Sequence, residues 1–150
     1  METIELRSPS FNDHAPIPPR HAHDRENVSP ALEWSGVPAG TAELCLVCED
    51  PDAPSGTFVH WVVAGLEATL TALQEGAVPA GAVEGTNGFG EKGWGGPQPP
   101  PGDDAHRYFF RLSASSAPLN LGAGATADEL RGALEGNEIG RGTLIGIYQR

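Results

Sequence analysis

Acidic, imidazole and phenol side chains stand at the ends of three apolar segments of this sequence. Asp50 follows one apolar run, and His60 lies inside the next. Much further along the chain, His106 and Tyr108 begin a third apolar run. Such groups can move protons as general acids and bases, or they can hold a small oxyanion by hydrogen bonds. Either chemistry requires a fold that brings the three segments together.

Residues 50–57, between the first two runs, are predicted to form a rigid elbow between two strands. Pro51 and Pro54 have no N–H to donate to a β-ladder, and Gly56 permits a tight change of direction. We expect Asp52 to hold the elbow by accepting hydrogen bonds from amides of its own loop, as aspartates do in turns. Asp52 and Pro54 are therefore predicted to have a structural role.

The two-residue period of a strand predicts that the four candidate groups face the core. Each shares a side with apolar residues of its own strand: Asp50 with Leu44, Leu46 and Cys48, His60 with Phe58 and Val62, and His106 and Tyr108 with Phe110 and Leu112. A buried polar group without a partner costs about 1–3 kcal/mol, so we expect these groups to pair or to line one shared cavity. A core network that binds no ligand is the alternative. Arg107 and Arg111 have the opposite parity, which predicts a surface position.

Binding of a small anion is favoured over catalysis. Nucleophilic catalysis needs a hydroxyl or thiol beside a histidine, and no G-x-S-x-G motif occurs. Asp50 and Asp52 share a face only if the strand continues through Pro51, which weakens a paired-carboxylate mechanism. Imidazoles, a tyrosine hydroxyl and loop amides suit an oxyanion such as phosphate. We expect a non-enzymatic binding protein, with a weak hydrolase that uses His60 or His106 as general base as the alternative.

The composition limits the classes of partner. A chain of 150 residues predicts one domain, and its 20 glycines and 14 prolines favour short strands and ordered loops. A net charge of −11 argues against nucleic acid or anionic membrane surfaces, although it leaves room for a small anion in a local pocket. No apolar run long enough to span a membrane and no leader segment are visible, so we expect a cytoplasmic protein.

No metal and no cofactor are expected. Cys45 and Cys48 form C-x-x-C, but this spacing within a strand places them on opposite faces. His21 and His23 could form a metal pair, yet no third ligand is evident, so a polar surface loop is favoured. The G-x-G-x-x-G match at 88–93 continues into Trp-Gly-Gly-Pro and opens no helix, which excludes a dinucleotide fingerprint.

The pattern of the whole chain predicts an antiparallel β-sandwich with one short helix near its C-terminal end. The predicted strands cover 2–7, 29–36, 43–49, 58–64, 106–112 and 143–148. Thr126 and Glu129 fit a capping box, Leu130 and Leu134 give the helix an apolar face, and Gly136 ends it.

Several motifs resemble the phosphatidylethanolamine-binding protein (PEBP) family, in its bacterial branch of Raf kinase inhibitor-like (YbhB/YbcL-type) proteins. S-P-x-L-x-W-S-G-V-P-x-G-T occurs at 29–41, and D-P-D-A-P at 50–54 is followed by H-W at 60–61. G-W-x-G-P-x-P-P-x-G at 93–102 is followed by H-R-Y at 106–108. The motifs occur in order and cover nearly the whole chain.

This resemblance implies a PEBP-like Greek-key sandwich with an anion pocket at one end. The implied ligand-binding residues are Asp50, His60, His106 and Tyr108, with Gly96 and Pro97 as wall. A cis peptide bond before Pro54 is a further feature of the family pattern. The implied ligand is phosphate or a phosphorylated head group, and the family also suggests a protein partner such as a kinase. A homodimer is a further assembly to test.

Overall fold

The computed structural model describes all residues from Met1 to Arg150. Ten strands, one 3-10 turn at Pro19–His21 and one α-helix make up the regular structure. In chain order the elements are β1 (Glu2–Thr3), β2 (Glu5–Arg7), β3 (Ala15–Pro16), β4 (Leu32–Ser35), β5 (Glu43–Asp50), β6 (Phe58–Leu66), β7 (Ala72–Leu73), β8 (Val83–Glu84), β9 (His106–Ser115), α1 (Ala127–Leu134) and β10 (Glu138–Tyr148).

The strands form two sheets, which confirms the predicted β-sandwich. The large sheet has the order β1-β10-β9-β5-β6-β8, with β3 also paired to β10, and the small sheet has the order β2-β4-β7. Most pairs are antiparallel, but β1 and β3 run parallel to β10. The predicted first strand is therefore divided between the two sheets. After β8 the chain makes a long connection and returns as β9 beside β5, at the centre of the large sheet.

Both faces of the large sheet are covered, which explains why β5 is buried along nearly its whole length. The inner face packs against the small sheet and carries Leu46 and Cys48. The outer face carries Cys45 and Val47, which pack in a second apolar cluster with Leu130 of the helix. Cys45 and Cys48 are free, buried and on opposite faces, as the strand spacing predicts.

The helix α1 begins with the predicted capping box. The Glu129 N–H donates to Thr126 Oγ1 at 3.1 Å, and the Thr126 N–H donates to Glu129 Oε1 at 3.0 Å. The helix ends at Leu134, and Gly136 follows with a φ of 81°, where a residue with a side chain would be strained. This helix has eight residues, whereas a bilayer needs about 20, so the structure contains no membrane-crossing helix.

Candidate functional site

A cavity of about 300 Å³ lies at the end of the large sheet where β5 ends and β6 and β9 begin. Its lining contains the four predicted polar groups, Asp50, His60, His106 and Tyr108. The elbow residues 53–58, the segment 98–100 and Phe89 complete it. Antiparallel pairing of the three central strands brings these segments together from distant parts of the chain.

His106 lies between two carboxylates. Its Nδ1 is 2.6 Å from Asp50 Oδ2, and its Nε2 is 3.1 Å from Asp103 Oδ2. An ionised carboxylate only accepts hydrogen bonds, so both ring nitrogens carry protons and His106 is an imidazolium when both acids are ionised. Burial opposes this charge, but the hydrogen bonds to Asp50 and Asp103 outweigh burial and raise the His106 pKa above its ordinary value.

Asp50 connects His106 to the elbow. Its side chain is almost fully buried. While Oδ2 accepts from His106, Oδ1 accepts from the Asp52 N–H at 2.7 Å. The amide of the loop is thus held by Asp50, and the same carboxylate fixes the ring plane and protonation of His106.

His60 reaches the cavity because of a β-bulge. Cys48 pairs with Trp61 and Glu49 pairs with Val59, so His60 is an extra residue on β6 without a direct partner. The bulge leaves His60 beside Tyr108, with ring centroids 5.1 Å apart, and turns Val62 into the outer apolar cluster. The prediction that His60 and Val62 share one face is therefore wrong.

The His60 ring has a defined protonation state. Its Nδ1 lies 2.6 Å from the Gly95 carbonyl oxygen, which can only accept, so Nδ1 carries the proton. Burial lowers the His60 pKa, and the bond to Gly95 offsets this only in part. His60 is therefore neutral near pH 7, and its Nε2 is the acceptor nitrogen of the ring.

Tyr108 has a buried hydroxyl without a partner. The side chain is fully buried and lines the cavity, and its Oη makes no hydrogen bond. Burial, with a smaller contribution from the Asp50 charge, raises the Tyr108 pKa. The hydroxyl consequently stays protonated, and its O–H is an unused hydrogen-bond donor.

Asp52 holds the elbow in a different way from the one predicted. Its carboxylate accepts three hydrogen bonds from Arg107: from the main-chain N–H at 2.9 Å, from Nε at 2.9 Å and from one terminal nitrogen at 2.8 Å. The side-chain hydrogen bond from Arg107 lowers the Asp52 pKa to about 2. Asp52 thus ties the elbow to β9 and makes no bond to its own loop amides. Arg107 and Arg111 are paired at the surface, as predicted, Arg111 with Glu49.

Comparison with known proteins places this chain in a family. The family model of phosphatidylethanolamine-binding proteins matches residues 7–149. The chain belongs to the phosphatidylethanolamine-binding protein family. A relative from Methanothermobacter thermautotrophicus, named UPF0098 protein, is 43% identical, and the match covers 98% of this chain and 99% of that one.

Two further relatives extend the comparison. The crystal structure of Escherichia coli YbcL, titled a new member of the mammalian PEBP family, has a TM-score of 0.93 and 30% identity, with 98% of each chain covered. LppC of Mycobacterium tuberculosis, named as a candidate lipoprotein, is 39% identical over 99% of this chain and 73% of its own. The predicted resemblance to bacterial PEBP proteins is thus confirmed.

Two features implied by the PEBP resemblance differ in this structure. Gly96 and Pro97 do not line the cavity; that wall is formed by Gln98, Pro99 and Pro100. Gly96 is instead pressed against the His21 main chain, where a Cβ would meet the carbonyl oxygen at 1.9 Å. The structure contains no cis peptide bond, so the bond before Pro54 is trans. Pro54 itself lines the cavity.

The histidines at 21 and 23 lie outside the cavity, and His23 contacts one residue of its wall. His21 is fully buried, with Nδ1 2.7 Å from the Val28 carbonyl oxygen, so its predicted position in a surface loop is wrong. His23 stacks on Phe89 with ring centroids 4.0 Å apart. Phe89 and Asp103 were not predicted as site residues. No sequence pattern indicates the contact between Asp103 and His106, because a spacing of three brings side chains together only in a helix, and Asp103 lies in the loop before β9.

Proposed function

We propose that this PEBP protein binds a small oxyanion, either phosphate or a phosphorylated head group, in the cavity. The observation that carries the proposal is the Tyr108 hydroxyl, which is fully buried and makes no hydrogen bond in the protein. Leaving such a group unsatisfied costs about 1–3 kcal/mol. An oxygen of a bound anion would accept this hydrogen bond and offset the cost.

Amide groups of the elbow supply further donors. The main-chain N–H groups of Ala53, Ser55 and Thr57 make no hydrogen bond within the protein, and all three residues line the cavity. Free main-chain amides along the concave side of a loop are suitable donors for an anion. Neutral donors matter here because one imidazolium, His106, stands between two carboxylates, so the site has no surplus of positive charge.

His60 favours an anion that carries a proton. Its Nδ1–H is held by the Gly95 carbonyl, so the neutral ring offers Nε2 as an acceptor. A protonated phosphate oxygen can donate to Nε2 while the other oxygens accept from Tyr108 and the elbow amides. We therefore propose the monoanionic form of a phosphate group as the preferred ligand.

The hydrolase alternative is not favoured. No hydroxyl or thiol of the protein hydrogen-bonds to a ring nitrogen of His60 or His106, so neither histidine is paired with a protein nucleophile. A cytoplasmic location and a protein partner, such as a kinase, are further proposals. The relation to LppC makes fractionation of cells the direct test of location.

Calorimetric titration with inorganic phosphate and with phosphoethanolamine tests the binding proposal. Tyr108→Phe should weaken phosphate binding about tenfold, because one hydrogen bond is lost, without lowering the stability of the fold. Tyr148→Phe is the matched control, since Tyr148 lies on β10 outside the cavity lining. Equal phosphate affinity in the wild type and in Tyr108→Phe would overturn the proposal.

A further inference from the structure

Both ring N–H groups of His106 are already occupied by the protein. Asp50 accepts from Nδ1, and Asp103 accepts from Nε2. His106 lines the cavity, but in this state it offers no free N–H to a ligand. The two carboxylates differ in setting: Asp50 is almost fully buried, whereas the Asp103 side chain is 38% exposed.

The Asp103 carboxylate can move without unfolding its loop. The main chain is held independently, because the Asp103 N–H donates to the Pro100 carbonyl at 3.2 Å and the Asp103 carbonyl accepts from Gln149 at 3.0 Å. The carboxylate itself has one partner in the protein, His106 Nε2. A rotation of the side chain would carry Asp103 into solvent and free that N–H.

We propose that Asp103 is a built-in competitor of the anionic ligand, which gains the His106 Nε2–H only when the Asp103 carboxylate swings away. This rests on the proposed function, because it assigns a regulating residue to the same oxyanion site. Asp103 opposes binding in two ways. It occupies a charge-assisted donor, and its negative charge repels an anion in the adjacent cavity.

The partial exposure of Asp103 makes this competition a means of selecting ligands. A buried carboxylate such as Asp50 holds His106 permanently, whereas a half-exposed one exchanges between the histidine and water. The cavity then selects ligands that displace a carboxylate from an imidazolium. A phosphate group does so, because it presents several strong acceptor oxygens, whereas a single carboxylate of a metabolite gains little by the exchange.

The test is calorimetric titration of inorganic phosphate, at fixed ionic strength, into the full-length wild type, Asp103→Ala and Asp103→Asn. Asp104→Asn is the matched control, because Asp104 is the neighbouring acid, is exposed and makes no hydrogen bond. We expect phosphate affinity to rise about tenfold in Asp103→Ala and to stay within about twofold of the wild type in Asp104→Asn. The gain in Asp103→Asn should be smaller than in Asp103→Ala, because the amide oxygen still accepts from the His106 Nε2–H. The ¹⁵N resonance of His106 Nε2 should respond to phosphate more strongly in Asp103→Ala than in the wild type.

Unchanged or weaker phosphate binding by Asp103→Ala would overturn the role of Asp103, as would an equal gain in Asp104→Asn, which would indicate a general charge effect. The proposed function has a separate readout. If the wild type binds phosphate and Tyr108→Phe weakens it, while Asp103→Ala changes nothing, only the competitor role fails. If no variant binds phosphate, both proposals fail.

Discussion

Replacing Asp50 with asparagine should convert His106 from an imidazolium to a neutral ring. In the Asp50→Asn variant, the amide oxygen can still accept from the Asp52 N–H, and the amide NH₂ group can donate to His106 Nδ1. His106 then keeps one proton, on Nε2, which donates to Asp103. The number of hydrogen bonds is unchanged, but the bond between residue 50 and His106 becomes neutral instead of ionic.

The expected loss of stability follows from the replacement of a charged hydrogen bond by a neutral one. A hydrogen bond to a charged group contributes about 1.5–3 kcal/mol and a neutral one about 0.5–1.5 kcal/mol, so we expect Asp50→Asn to lower the free energy of unfolding by about 1–2 kcal/mol near pH 6. Asp50→Ala should cost more, because it leaves both His106 Nδ1 and the Asp52 N–H without their hydrogen-bond partner.

The pH dependence of stability separates the wild type from Asp50→Asn more clearly than the change in free energy at one pH. The folded-state pKa of His106 is raised above 6.5, so its contribution to stability is fully present below about pH 6.5 and is lost as the pH rises through the raised value. Urea unfolding from about pH 5.5 to 9 should show this loss in the wild type and not in Asp50→Asn. NMR titration of the His106 ring should show its pKa falling in the variant. An unchanged His106 pKa would show that Asp50 does not stabilise the charge on His106.

Two other parts of the structure give predictions of their own. Gly96→Ala should destabilise the fold by more than about 3 kcal/mol, because the new Cβ meets the His21 main chain. Gly132→Ala should stabilise it by about 0.5–1 kcal/mol, because this helix position faces open space. Thermal unfolding of both variants checks these predictions. Asp52 has a lowered pKa, so the stability it contributes is present above the ordinary value of 3.8 and is lost as the pH falls through about 2. Acid unfolding of Asp52→Asn should lack this part of the transition, and a profile that matches the wild type would contradict the pairing of Asp52 with Arg107.

The sandwich and most of the site follow from regular features of the sequence. The two-residue period of β9 correctly places Tyr108 with Phe110 and Leu112 in the core, because that strand runs without interruption through its inner positions. Asp50 at the end of β5 is placed correctly for the same reason. The capping box at Thr126 is a local signal, and it too is found in the structure.

Features that depend on three-dimensional packing are the ones that the sequence did not reveal. The bulge at His60 leaves no mark in the pattern of apolar residues, so the side assigned to Val62 is wrong. The burial of His21 depends on its bond to Val28 and on the segment that carries Gly96, which is distant in sequence. An aspartate in a turn can accept hydrogen bonds from its own loop or from a neighbouring strand. The position of Arg107 beside Asp52 depends on how β9 packs against the elbow, which the sequence pattern does not specify.

A crystal structure determined with the protein saturated with inorganic phosphate is the direct test of anion binding in the cavity. We expect one phosphate in the cavity, with an oxygen within hydrogen-bond distance of Tyr108 Oη and another facing the elbow amides of Ala53 and Ser55. His60 Nε2 should lie beside a third oxygen. A cavity that contains only water under these conditions, or a phosphate that does not contact Tyr108, would contradict it.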